Sequence, residues 1–183
     1  MKITERTNLI CGILFTLIVG TLLHFVYDWS NQNHFLALFV PVNESVWEHL
    51  KLLFFPVFLY TLFEIMVLFK TSGSFLSSRI ISLLAGMFFI VVSFFTYTGI
   101  SGRNFLVMDV LIFVLSVLVT FYASRYLEVQ HPGFDLPLLA NFAVLLLLVI
   151  CFFSFTFSPP GLPIFQSDYE TSRYLNSPSS SIP

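Results

Sequence analysis

The stretch NLICGILFTLIVGTLLHFVY, Asn8 to Tyr27, carries no charged side chain, and the nearest charges stand outside it at Arg6 and Asp28. A helix rises about 1.5 Å per residue, so about 20 apolar residues cross the roughly 30 Å hydrocarbon layer of a bilayer. This run is long enough. It is too long for the apolar segment of a secretory leader and lacks a small-residue cleavage site, so it reads as a span that stays in the membrane. In hydrocarbon every backbone amide must be paired within the segment, which selects a helix. A transmembrane β-barrel would alternate apolar and polar residues, and this stretch does not.

Four further runs repeat the pattern. They are Val46–Phe69, Ser78–Thr98, Phe105–Tyr126 and Pro137–Phe157. The second span contains Pro56, which predicts a kink, and one carboxylate, Glu64; the fourth has Asp109 near its start and the fifth has Asn141. Composition points the same way: hydrophobic residues make up 57% of the chain, charged residues 10%, and mean hydropathy is +0.90. A soluble domain carries about a quarter charged residues to wet its surface. The expectation is an all-α integral membrane bundle of five transmembrane helices over residues 8–27, 46–69, 78–98, 105–126 and 137–157. Residues 158–183 form a Pro/Ser-rich tail with the composition of a partly disordered segment. Phe35-Leu36-Ala37-Leu38-Phe39, in the first connection, is too short to span and is expected in the interface or against the bundle.

The formal charge of −2 leaves no basic patch for a nucleic acid. Cys11 and Cys151 sit inside apolar runs without metal-ligand spacing and read as small hydrophobes. Lys2, Arg6, Lys70, Arg79 and Arg125 fall on one side of the expected topology, and Lys51, Arg103 and Arg173 on the other. The excess predicts a cytoplasmic N-terminus and, with five spans, a C-terminus outside the cell membrane.

Parity then gathers the unusual polar residues at the outer face. The first span ends with His24 and Asp28, four apart on one helical face, and the second opens with Asn43-Glu44-Ser45-Val46-Trp47-Glu48-His49-Leu50-Lys51. Tyr97 ends the third span, while Arg103 and Asp109 flank the start of the fourth. Ionisable groups at membrane depth are costly and usually line an interior or a wet cavity. His24, Asp28 and His49 offer the nitrogen and oxygen ligands that zinc or another divalent ion accepts. Glu48 and Glu44 are the candidate proton acceptors of a metal-activated water, with Asn43, Tyr97, Arg103 and Asp109 in support. A plainer reading stands beside this one. Ser45 and Glu48 fit a capping box, Asn43 could cap instead, Lys51 can pair with Glu48, and Trp29 and Trp47 suit interfacial anchors.

The segments His24-Phe25-x-Tyr27-Asp28-Trp29-Ser30, Pro41 through Lys51, and Tyr97-Thr98-Gly99-x-x-Gly102 together resemble a family of small multi-pass bacterial membrane proteins with a domain of unknown function. The resemblance covers the first four spans and implies a bacterial plasma membrane; it brings no activity. A more distant resemblance is to the membrane hydrolases that include alkaline ceramidases and progestin and adipoQ receptors. Those proteins hold zinc among His and Asp residues near one end of a seven-helix bundle, whereas this chain has five spans and few later histidines.

Three classes of function fit the residues. The first is a hydrolase of a lipid-linked or amphiphilic substrate at an outward-facing metal site. The second is an oligomeric small-solute transporter or channel, with Gly12, Gly20, Ser82 and Gly86 permitting close helix packing in a homo-oligomer. The third is a non-catalytic membrane partner or sensor. Uptake of a labelled solute would separate the second from the first, and bound zinc would favour the first.

Overall fold

The computed structural model describes residues 3–167 apart from Thr71, Pro132 and Phe134. Most of the Pro/Ser-rich tail therefore lies outside the described residues, as do Lys2 and Arg173. Among the described residues the chain is all-helical, with α1 (Ile3–Trp29), α2 (Val46–Leu68), α3 (Gly73–Ser101), α4 (Leu106–Gln130) and α5 (Leu138–Phe157). Each is long and apolar enough to cross a membrane. Helices α1, α3 and α4 run several residues further than hydropathy alone marks, while α2 and α5 keep within the expected spans; polar residues near the helix ends find partners. Glu5 near the start of α1 pairs with Arg125 near the end of α4, and Arg79 in α3 pairs with Glu64 in α2.

Local chemistry sets the boundaries of α2 and α3. Ser45 is extended (φ −75°, ψ 152°) and its hydroxyl accepts from the Glu48 amide, capping α2. Ser72 caps α3 in the same way by accepting from the Phe75 amide. Helix α3 passes through Gly99 and stops at Gly102, whose φ of 68° suits the left-handed position that closes a helix. Helix α2 continues through Pro56 to Leu68.

Successive helices alternate in direction. Thr156 near the end of α5 meets Lys51 near the start of α2, while Asn8 early in α1 meets Glu64 late in α2. Two polar ends result. The histidine end holds His24, the start of α2 and the end of α5; the arginine end holds Asn8, Glu64, Arg79 and Arg125.

Helix α2 is the centre of the bundle and touches all four others. Leu53, Phe54 and Val57 from α2 pack with Val117 and Phe121 from α4 and Phe152 from α5 in the core. Burial in lipid drives helix association weakly, since lipid tails are as apolar as Leu, so close packing has to hold the helices together. The most extensive seam, between α3 and α4, is built for that. Ser78, Ser82 and Gly86 recur every fourth residue on α3, facing Ser116, Thr120 and Ser124 on α4, and the five hydroxyl residues are buried. A Cβ added at Gly86 would overlap the Thr120 hydroxyl. Gly12 likewise admits Phe121 and Tyr60, and Gly20 admits Phe113 and the Leu52 carbonyl. These small residues thus serve packing within one chain. The outer faces remain apolar: Ile10, Leu14, Ile18 and Leu22 on α1 and Leu139, Phe142, Leu146 and Ile150 on α5 are exposed.

Candidate functional site

The connection between α1 and α2 positions the candidate site. Its apolar middle forms one 3-10 turn, Leu36–Leu38, and lies against the bundle: Ala37 is buried, and Phe39 meets Phe55 and Phe153 edge-on. Beneath it Lys51 is fully buried and reaches the carbonyls of Ala37 (3.0 Å) and Val40 (3.3 Å), the Glu48 carboxylate (2.7 Å) and the Thr156 hydroxyl (2.6 Å). Glu48 in turn accepts from the Val42 amide at 3.0 Å. At the next residue the Asn43 side chain accepts from the Ser45 amide at 2.9 Å, closing a tight turn around Glu44. Glu44 is thereby presented at the mouth of α2.

Three predicted residues meet there. Glu44 lies between the two imidazoles, with its Oε2 3.3 Å from His49 Nε2 and its Oε1 3.9 Å from His24 Nε2. The rings of His24 and His49 are 5.2 Å apart, and one ligand atom from each of the three residues lies within 4.8 Å of the others. The histidine side chains are about three-quarters covered, whereas Glu44 is 70% exposed. The Glu44 carboxyl is held below its ordinary range, first by the hydrogen bond from His49 and then by the charges of His49 and His24, against the opposing effect of partial burial.

The His49 ring carries a constraint of its own. Its Nδ1 stands 2.9 Å from the Ser45 carbonyl. A carbonyl only accepts, so Nδ1 bears the hydrogen, and the lone pair of a neutral ring would then sit on Nε2, facing the Glu44 carboxylate. Only a positive centre resolves that opposition: a proton on Nε2 or a metal ion. Histidines that ligate metals are commonly oriented by such an Nδ1 to carbonyl bond. His24 Nδ1 is buried without a hydrogen-bond partner among the described residues.

The remaining predicted residues go elsewhere. Asp28 is exposed and stands outside the His24–Glu44–His49 group. Glu48 is fixed in the buried contact with Lys51, so it supports the connection that carries Glu44. Tyr97 donates to the Asp109 carboxylate and lies 2.6 Å from Asn104 Oδ1; Arg103 stacks over Phe105 at 4.5 Å. Asp109 is near enough to His49 for its charge to act there.

Sequence reasoning missed the polar network at the arginine end. Glu64, fully buried, receives Arg79 at 2.6 Å, Lys70 at 3.3 Å and the Asn8 amide at 2.6 Å. Tyr60 donates to Asn8, and Arg125 joins Glu5 and Glu128 alongside. The available signal was Glu64 itself: a carboxylate inside a span implies a nearby cation.

Fold and site together define a five-helix bundle, its helices long and apolar enough to cross a membrane, with a cluster of two histidines and one carboxylate at one end. The chain belongs to the family of unknown function described as DUF6512, whose match covers residues 1–175. No curated protein and no solved structure matches it.

Proposed function

We propose that this is a multi-pass protein of the bacterial plasma membrane that holds a divalent cation, zinc by the character of its ligands, between His24, Glu44 and His49. The N-terminus and the arginine end face the cytoplasm in this reading, and the histidine end faces outward. The supporting observation is the His49 ring, whose Nδ1 contact with the Ser45 carbonyl aims the Nε2 lone pair at Glu44. Tetrahedral ligand atoms at roughly 2.0–2.1 Å from the ion stand about 3.3 Å apart; His49 and Glu44 already stand at 3.3 Å, while His24, 3.9 Å from the other Glu44 oxygen, has to move inward to share one ion with them.

Two histidines and one carboxylate leave a tetrahedral ion one open position, the arrangement of catalytic rather than structural zinc sites. A water bound there would be acidified and made nucleophilic near neutral pH. Glu44 carries a second oxygen to accept its proton, and the connection fixed by Glu48 and Lys51 holds that carboxylate in place. Hydrolysis of an amphiphilic substrate at the outer leaflet is the activity that fits. Elemental analysis of the protein purified in detergent tests the reading. It expects one zinc per chain, lost in His24→Ala and His49→Ala. Equal metal content in the wild type and both variants would overturn it. Zinc-dependent cleavage of an amphiphilic ester then tests catalysis, and impermeant thiol labelling of cysteines placed beside Arg6 and Arg103 tests orientation.

A further inference from the structure

The His24–Glu44–His49 group stands between two surfaces of different character. On one side Glu44 is 70% exposed and opens the group to water. On the other side the His24 ring meets Phe25 edge-on, with centroids 5.1 Å apart, and Phe25 stacks on Trp29 at 5.7 Å. Phe25 and Trp29 are exposed and continue the row of Ile10, Leu14, Ile18 and Leu22. Residues three and four apart share a helical face, so the row is one apolar stripe along α1. In a membrane that stripe faces lipid, and it runs up to the edge of the histidine cluster.

Helix α1 also sets the depth of the group. Tryptophan settles at the membrane–water interface, at the level of the headgroups, and Trp29 is exposed at the end of α1. His24 comes five residues earlier in the helix, which places it about 7.5 Å deeper at 1.5 Å per residue. The headgroup layer on each side of the hydrocarbon is itself about 5–7.5 Å thick. His24 is thereby carried to the inner edge of that layer, where the acyl chains of a glycerolipid join their glycerol. Helices α3 and α4 agree with this depth. Ile100 and Leu106 are exposed apolar residues that stand three positions outside Tyr97 and Asp109, so these polar groups too lie beneath an apolar rim.

Resting on the zinc-hydrolase reading of this site, we propose that its substrate is a membrane glycerolipid arriving sideways from the bilayer, and that the bond cleaved is the acyl ester. A phosphodiester lies farther out, among the headgroups, and a soluble ester gains nothing from an approach beside Phe25. With the acyl chain against the Phe25–Trp29 stripe, the ester carbonyl lies level with His24. Water reaches the group from the Glu44 side. Glu44 accepts a proton as the water oxygen bonds to the carbonyl carbon. That proton passes to the glycerol oxygen as the acyl C–O bond breaks, and the products are a fatty acid and a lysolipid.

The test uses the zinc-loaded full chain in vesicles of ester-linked phosphatidylglycerol and, separately, of its ether-linked counterpart, with the products read by mass spectrometry. The ester lipid should yield fatty acid and lysolipid in equal amounts, and the yield should be lost in His24→Ala. The ether lipid should yield nothing. Cleavage at the phosphate of either lipid, or no fatty acid from the ester lipid, would overturn the proposal. Zinc content of the same sample keeps the two readings apart: bound zinc without fatty acid defeats the glycerolipid substrate alone, whereas a chain that takes up no zinc defeats the metal site and the substrate with it. Depth has a readout independent of activity. The chain has two tryptophans, so Phe25→Trp combined with Trp29→Phe and Trp47→Phe leaves one fluorophore beside His24. Lipids brominated near the ester should quench it more strongly than lipids brominated near the chain ends. The reverse order, or quenching by neither, would overturn the proposal.

Discussion

Glu48 and His49 are adjacent in the chain, yet the contacts they make are of opposite kinds. Glu48 is 3% exposed and held by Lys51 at 2.7 Å, with the Val42 amide and the Thr156 hydroxyl completing its surroundings. His49 is 29% exposed and faces a carboxylate that is itself 70% exposed. In the first cluster Glu48 and Lys51 neutralise one another at hydrogen-bond distance; in the second His49 Nε2 stands 3.3 Å from Glu44, an approach that needs a proton or a metal ion between them. One step along the helix thus separates a buried ion pair that secures the fold from a contact open to solvent. Burial and complete pairing mark the first, while partial exposure marks the second.

The largest effect expected is at the buried pair. Lys51→Ala leaves Glu48 buried without its cation, which typically costs about 3–5 kcal/mol; denaturant or thermal unfolding in detergent measures it. The double variant Glu48→Gln/Lys51→Met should recover most of that loss. A single variant as stable as the wild type would erase the contrast between the clusters. Ser45 belongs to both, since its hydroxyl caps Glu48 and its carbonyl orients His49. Ser45→Ala should therefore cost about 1 kcal/mol of stability through the lost cap. Zinc affinity should stay unchanged, because the carbonyl remains.

His24→Ala and His49→Ala should lower the stability of the metal-free protein by only about 1 kcal/mol, the scale of one lost hydrogen bond or ring contact. Zinc affinity should fall by more than the roughly 10–100-fold typical of losing an outer partner of a ligand. Competition with a zinc-chelating dye reads the affinity. Acid should produce the smallest change. The Glu44 carboxyl lies below its ordinary range in the folded protein, so its contribution is fully present above that range and is lost as pH falls through the lowered value. The stability difference between wild type and Glu44→Gln should be present in the ordinary carboxylate range and vanish at stronger acid. A difference that grew as pH fell below that range would contradict the sign of this linkage.

Much of the helical architecture can be read directly from the chain, because about 20 uncharged residues admit few other readings in a membrane. The site is legible in part. His24, Glu44 and His49 stand out as polar residues near helix ends, and the alternation of the spans brings those ends together. The partition between Glu48 and Glu44 is not legible. Both carboxylates lie near one helix start, and only the path of the connection over Lys51, ending at the Val42 amide, turns Glu48 inward and leaves Glu44 at the mouth. Asp28 shares a helical face with His24 by spacing, but a face does not specify how far a side chain stands from its neighbours. The Arg79–Glu64 contact escapes for a different reason: Arg79 looks like a flanking charge when charges are counted by topology, yet in the fold it is drawn back into the bundle.

Lys51 closes a contact that spans 105 positions of sequence, from the second helix to Thr156 near the end of the fifth. A ribosome delivers these partners at different times. When only the first helices have been made, the Lys51 ammonium has the connection and Glu48 but not the last helix, and its final partner arrives only when nearly the whole bundle has been synthesised. The loop that presents Glu44 is anchored to that same ammonium. Completion of the pocket at the histidine end is thereby tied to the arrival of the last helix, so a chain halted before α5 would carry His24, Glu44 and His49 without the full support that holds them in place.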